Sequence, residues 1–356
     1  METEKGTQQN AQGKPQGKTQ GKPQGETQGA PQGKTPRRGR IESGALGFGC
    51  WAIGGEWSAP DGSPLGWGAV DDDESVAAIH RAFDLGVRFF DTADVYGAGR
   101  SERVLGRALA GRRDEVVVAT KWGNLFDERT RTMDGADLSP AYVRAALVAS
   151  LRRLGTDRVD LYQLHIGDAP LDTAAELRDA CEEFVAEGLI RAYGWSTDDP
   201  ERAALFAEGE HCAAVQHACN VLEDAPAMLG LSEERGLTSV IRSPLAMGLL
   251  TGARDPGRRA AAGDIRSTPP AWLGWFEAGG VPARHWAARV DAVREVLTAD
   301  GRTLAQGALG WLWARSGRAV PIPGFRTVAQ AEENAAALTH GPLRPEQLEE
   351  IAALLA

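Results

Sequence analysis

From residue 41 onward the chain alternates between short apolar runs and longer amphipathic stretches, and few folds accept that alternation. The apolar runs are LGFGCW (46–51), VRFFDTA (87–93), EVVVATK (115–121), RVDLYQLH (158–165), IRAYGWS (190–196), AAVQHAC (213–219), LTSVIRSP (237–244) and AVPIPG (319–324). Between them lie helical segments such as DDESVAAIHRAFDLG, SPAYVRAALVASLRRLG, TAAELRDACEEFVAEG and DPERAALFAEG. Several open on Ser, Thr or Asp and close on Gly, the residues that satisfy orphan backbone groups at helix ends. Near-continuous apolar strands are buried on both faces, which implies a parallel sheet covered by its own crossover helices. Eight such strand–helix units in series predict a closed (β/α)8 TIM barrel, one α/β domain over 39–356. The competing doubly wound sheet needs G-x-G-x-x-G after its first strand, and GFGCWAIGG lacks the third glycine at that spacing.

Residues 1–38 are of another composition. From Gln12 a four-residue Gln-Gly period repeats six times up to Pro36, and such a segment has nothing to bury. It predicts a disordered arm. Residues 1–40 carry eight Lys or Arg and three Glu, a net of +5, so the remainder of a chain at −10 carries −15. An acidic body does not suggest a nucleic-acid partner. Four scattered cysteines, none in a C-x-x-C pair, argue against a disulfide framework or a structural zinc site. No metal site is expected, and neither a membrane span nor a signal peptide is legible, so the expected setting is the cytoplasm.

In a barrel of this kind chemistry belongs to the face where strands end. Asp91 ends the second strand and Tyr96 follows it; Lys121 ends the third and His165 the fourth. Each has a structural reading: a turn carboxylate, loop packing, a snorkelling lysine, a satisfied core histidine. Together at one mouth they read as an acid–base set. An ammonium beside a phenol favours phenolate and is expected to lower the phenol's pKa, and the ammonium in turn needs a carboxylate. Such a set can protonate a carbonyl oxygen or deprotonate an alcohol, with a cofactor supplying the hydride.

GVRFFDTADVYGAGRSERVLG, ATKWG and LYQLH together resemble the aldo-keto reductases, in the branch that includes potassium channel β-subunits and many bacterial reductases. The resemblance runs from about residue 41 to the end. It implies the barrel fold, reversible reduction of an aldehyde or ketone by NADPH, and a tetrad of Asp91, Tyr96, Lys121 and His165 with Tyr96 as general acid. It also implies cofactor contacts. Trp51 belongs to that set, and GWST resembles a Gly-x-Ser-Asn segment that puts Ser196 on the nicotinamide carboxamide, with Thr197 where asparagine is usual. Gln216 matches a carboxamide-binding glutamine. SPLAMGLLTG matches the pyrophosphate loop through Ser243, Leu245 and Gly248, preceded by Arg242 where an aromatic residue is usual. An arginine there can stack by its plane, while its charge opposes an oxidised ring. IPGFRTVAQAEENAAA resembles the adenosine 2′-phosphate segment, giving Gly324, Arg326, Gln330, Glu333 and Asn334.

Two long connections are expected to roof the mouth. One, 57–70, brings Trp57 and Trp67. The other, about 252–285, brings Trp272, Trp275 and Phe276, with Trp286 just beyond. Aromatic walls suit an apolar or flat carbonyl substrate, or the ring of a sugar. Two other readings share these residues: a regulatory subunit in which bound nucleotide reports redox state, and a lyase or dehydratase using a remodelled nicotinamide site.

Overall fold

The computed structural model of the chain describes residues 41–252 and 259–356. The expected arm, 1–38, and the stretch 253–258 of the second long connection lie outside the described residues.

Each of the eight expected strands is present, most of them shorter than the apolar run, one coinciding with IRAYGWS (190–196) and one shifted a residue earlier than AAVQHAC (213–219). They are β1 (Gly47–Gly49), β2 (Phe89–Asp91), β3 (Val117–Trp122), β6 (Val159–Leu164), β7 (Ile190–Ser196), β8 (Cys212–Ala218), β9 (Thr238–Arg242) and β12 (Ala319–Pro321). They pair in parallel in that order, and a bridge between Gly49 and Gly324 joins the last to the first. The Gly49 N–H donates to the Pro323 carbonyl at 3.1 Å, closing the ring. A Cβ on Gly49 would stand 2.8 Å from the Ile322 carbonyl oxygen, so glycine is what lets the seam close.

Alternation along the strands sorts side chains between two cores. Phe89, Ala119, Leu161, Ala192, Ala214, Val240 and Val320 pack together inside the barrel, with Ile41 against them. Their neighbours Phe90, Val118, Tyr162, Tyr193 and Ile241 belong to the larger core under the helices. Stepping two residues on from the inner set gives Asp91, Lys121, Gln163 and Gln216, which therefore form a polar layer above an apolar plug.

The helices are α1 (Asp72–Asp84), α2 (Arg100–Ala108), α3 (Pro140–Leu154), α4 (Leu171–Ala186), α5 (Pro200–Phe206), α6 (Pro226–Arg235), α7 (Arg284–Thr298), α8 (Leu304–Arg315), α9 (Val328–His340) and α10 (Pro345–Leu355). Asp71, Ser139 and Asp199 cap α1, α3 and α5 by accepting backbone N–H groups, as their positions in the sequence suggest. Two small hairpins have no strong sequence signal: β4 (Asn124–Asp127) with β5 (Thr132–Ala136), and β10 (Phe276–Glu277) with β11 (Val281–Pro282). No helix among the described residues is long and apolar enough to cross a membrane.

Candidate active site

Asp91 leaves β2 pointing inward, and Lys121 reaches it from β3 in the next register step. Their side chains meet at 2.5 Å between Lys121 Nζ and Asp91 Oδ2, both buried. The ammonium also donates to the Thr92 carbonyl at 2.8 Å and to Tyr96 Oη at 3.3 Å. Three acceptors for three protons leave no donor unspent, which is the condition for keeping a buried ammonium charged. Asp91 Oδ1 accepts from the side-chain amides of Gln163 at 3.1 Å and Gln216 at 2.8 Å. Gln163 escaped the sequence reading, although its place two residues before His165 on one strand face is the signal that finds it.

Tyr96 is held over this layer by backbone contact. Gly97 sits at φ 61°, and a Cβ there would lie 2.0 Å from the Gly54 carbonyl oxygen. Only two glycines back to back allow the loop after β2 to press against the turn at 52–54. Trp51 stacks on the Tyr96 ring with centroids 5.8 Å apart, and His165 meets it edge-on at 5.7 Å.

The electrostatics correct one expectation. Burial raises the Tyr96 phenol above its ordinary value, and the Asp91 charge adds to the rise; Lys121 lowers it without prevailing. The phenol therefore holds its proton at neutral pH. Burial alone would lower Lys121, but the Asp91 carboxylate and the Tyr96 phenol raise it. His165 is driven well below the usual imidazole range by burial, then by the charges of Lys121 and Arg242, and is neutral. Its Nδ1 is enclosed without a partner. An enclosed lone pair costs less than an enclosed N–H, so the proton belongs on Nε2.

A cleft of about 1020 Å³ opens over these groups. That is large for a small-molecule site, roughly 300–1,000 Å³ being usual. Asp91, Tyr96 and His165 line it with Trp51, Ser196, Gln216, Arg242, Ser243, Leu245, Gly248, Gly324, Arg326 and Gln330. Lys121 lies beneath the floor. Glu333 and Asn334 are not among the walls: Asn334 is buried and donates to the Gly324 carbonyl at 3.4 Å, and Glu333 precedes it on α9. Thr197 is also withdrawn, its hydroxyl donating to the Gly167 carbonyl at 2.8 Å.

The stretch after β9 is strained. Ser243, Ala246 and Met247 hold φ of 54°, 46° and 53°, with Gly248 at 92°. Left-handed non-glycine backbone stores strain and clusters at ligand sites, where turned N–H groups form anion-binding concavities. Arg326 adds a guanidinium with no carboxylate of its own among the described residues. Burial and the nearby Arg266 charge lower its pKa, Asp264 opposing them, so an anion would relieve the site. Arg266 and Arg259, both missed in the sequence, line the same cleft. The Arg242 charge is not free, because its guanidinium is ion-paired with Asp198. Asp198 is itself fixed by accepting the Ala218 N–H at 2.7 Å.

Of the six aromatic residues expected on the roof, Trp57, Trp67 and Trp272 line the cleft. Trp275 and Phe276, at the start of the β10–β11 hairpin, are instead buried in the main core, and Trp286, in the first turn of α7, packs against it.

This arrangement has relatives. An aldo-keto reductase of Schizosaccharomyces pombe, named for NADP(+), is 30% identical over 303 residues, 83% of each chain. The solved glycerol dehydrogenase of Gluconobacter oxydans superposes with a TM-score of 0.72 at 29% identity, over 88% of this chain and 91% of that one. A Klebsiella pneumoniae aldo/keto reductase solved with NADP and acetate gives 0.62 at 28% identity, over 87% and 91%. The family model for aldo/keto reductases matches residues 45–356, and with the eight-stranded ring and the ammonium-bridged phenol it leaves one assignment: the chain belongs to the aldo/keto reductase family.

Proposed function

We propose that this protein is an NADP(H)-dependent reductase that converts an aldehyde or ketone reversibly to the alcohol, with Tyr96 as the general acid. The observation that carries the reading is the Lys121 ammonium held at once by Asp91 and by the Tyr96 hydroxyl, at 2.5 and 3.3 Å.

Bound NADPH supplies the hydride. The protein's own groups manage the oxygen. A carbonyl oxygen in the mouth accepts from Tyr96 Oη and from the Nε2–H of His165. As charge gathers on that oxygen, the phenol gives up its proton, and the phenolate left behind lies against Lys121. Asp91 and its two glutamine donors keep that ammonium charged and in position, so stabilisation is in place before the transition state forms. Neutral His165 can donate without competing as an acid.

The walls fit the nucleotide. The strained turn 243–248 offers backbone donors to a pyrophosphate, and Arg326 offers a planar cationic fork to a 2′-phosphate. The Gln216 amide nitrogen is committed to Asp91, and its oxygen remains to accept from a carboxamide. Ser196 stands beside it in the wall. The Trp51, Trp57, Trp67 and Trp272 indoles suit a flat or apolar carbonyl or a sugar ring.

The experiment is NADPH consumption over a panel of aldehydes and ketones. Tyr96→Phe should lower kcat by about 10²–10⁴, the usual worth of a positioned proton donor, and leave NADPH affinity nearly intact. Undiminished turnover in that variant would remove Tyr96 from the chemistry. Tight NADPH binding with negligible turnover across the panel would favour the regulatory-subunit reading, and product without change in nicotinamide absorbance a lyase.

A further inference from the structure

We propose that Arg326 has a second role, as the positioning residue for the substrate wall, so that the nucleotide end of the cleft and the reacting end are mechanically joined through it. The inference rests on the proposed nucleotide site only in naming the other ligand of this guanidinium.

The joint is visible bond by bond. Arg326 Nη1 donates to the Trp67 carbonyl at 3.0 Å, across 259 residues of sequence. Its own N–H is pinned by Gln330 Oε1 at 2.8 Å, so the arginine is anchored at the start of α9. The Trp67 indole lies under the Arg266 guanidinium at 4.6 Å and against Trp51 edge-on at 5.6 Å. Trp51 is the ring stacked on Tyr96, and its own Nε1 donates back to the Leu65 carbonyl at 3.1 Å. The guanidinium is thus the tie between the start of α9 and the connection 57–70, which carries Trp57, Leu65 and Trp67 into the cleft wall. Two neighbouring ties, Gly68 N–H to Gly263 O at 3.0 Å and Ile265 N–H to Gly66 O at 2.7 Å, join that connection to another loop, while Trp67 N–H to Gly55 O at 3.4 Å and Arg100 Nη2 to Val70 O at 3.1 Å hold its base, so Arg326 fixes the Trp67 main chain from the nucleotide side.

Arginine can serve both partners because its five donors point outward from a rigid plane. One edge meets the main-chain carbonyl, and among the described residues another is left for phosphate. A lone carbonyl would not select arginine here, nor would a phosphate require the reach to Trp67.

The test separates the two roles by cofactor. With NADH, which has no 2′-phosphate, carbonyl KM and kcat are measured at extrapolated cofactor saturation for the wild type, Arg326→Met and Arg326→Lys, using the best aldehyde of the panel. Arg326→Met is expected to raise the carbonyl KM about ten-fold, in line with loss of one hydrogen bond from a charged donor, and by more than it changes kcat. Arg326→Lys, which retains a cationic donor, should recover part of that loss. An unchanged carbonyl KM in Arg326→Met overturns the proposal. If Arg326→Met does not fold, as judged by circular dichroism, Arg326→Gln is read by the same constants. The nucleotide assignment is judged separately, by whether the preference for NADPH over NADH collapses in Arg326→Met.

Discussion

At the scale of single residues, the Tyr96 phenol shows how two opposite influences resolve. A neighbouring ammonium suggests an acidified tyrosine, and Lys121 does pull in that direction. Burial acts on the same group and prevails, so its pKa lies above the ordinary 10.0. Carbonyl reduction needs the protonated phenol, which exists below its pKa; a raised pKa moves the loss of activity upward in pH. His165, held below 6.5, is neutral across the same range and adds no limb. The kcat for reduction should therefore be flat through pH 6–9 and fall only above about pH 10. Stopped-flow reduction under saturating NADPH checks this, and a descending limb centred near neutrality would contradict it. Charge partners on adjacent strands were legible because strand ends are. Gln163 and the Asp198 clamp on Arg242 were not, since amide and carboxylate side chains at those positions have many structural uses.

At the scale of elements, the loop after β2 works because Gly54 and Gly97 touch backbone to backbone. Gly97→Ala places a Cβ into the Gly54 carbonyl at a φ that disfavours any side chain. It should destabilise the fold by at least ~1 kcal/mol and lower kcat by displacing Tyr96. Urea unfolding and steady-state rates on one preparation measure both, and wild-type values in each would show the contact to be dispensable. The eight strands, the helices α1, α3, α4 and α5, and the caps of α1, α3 and α5 follow from patterns within one segment, and that much of the fold is readable in advance. The β4–β5 and β10–β11 hairpins are not, because two to five residues give too short a window for periodicity. The same limit explains the three aromatic residues expected at the mouth and found in the core. A tryptophan in a long loop is apolar surface seeking cover, and Trp275 and Phe276 find it in the main core.

At the scale of the whole molecule, the barrel's inner plug includes Ile41, buried in the same cluster as Phe89 and Leu161. Removal of residues 1–40 should leave the thermal midpoint within about 2 °C, whereas removal through Gly44 should lower it clearly, because one buried isoleucine is worth about 1.5–3 kcal/mol. Calorimetry on the two truncations distinguishes them, and equal midpoints would mean that Ile41 adds nothing to the plug. The seal around Lys121 has a practical consequence. Lysines 5, 14, 18, 22 and 34 all precede residue 41, and Lys121 is the only lysine after it. Its side chain has no exposure to solvent. Lysine-directed reagents can therefore reach the folded protein only within the amino-terminal forty residues, and a tether or dye attached there leaves the buried ammonium untouched.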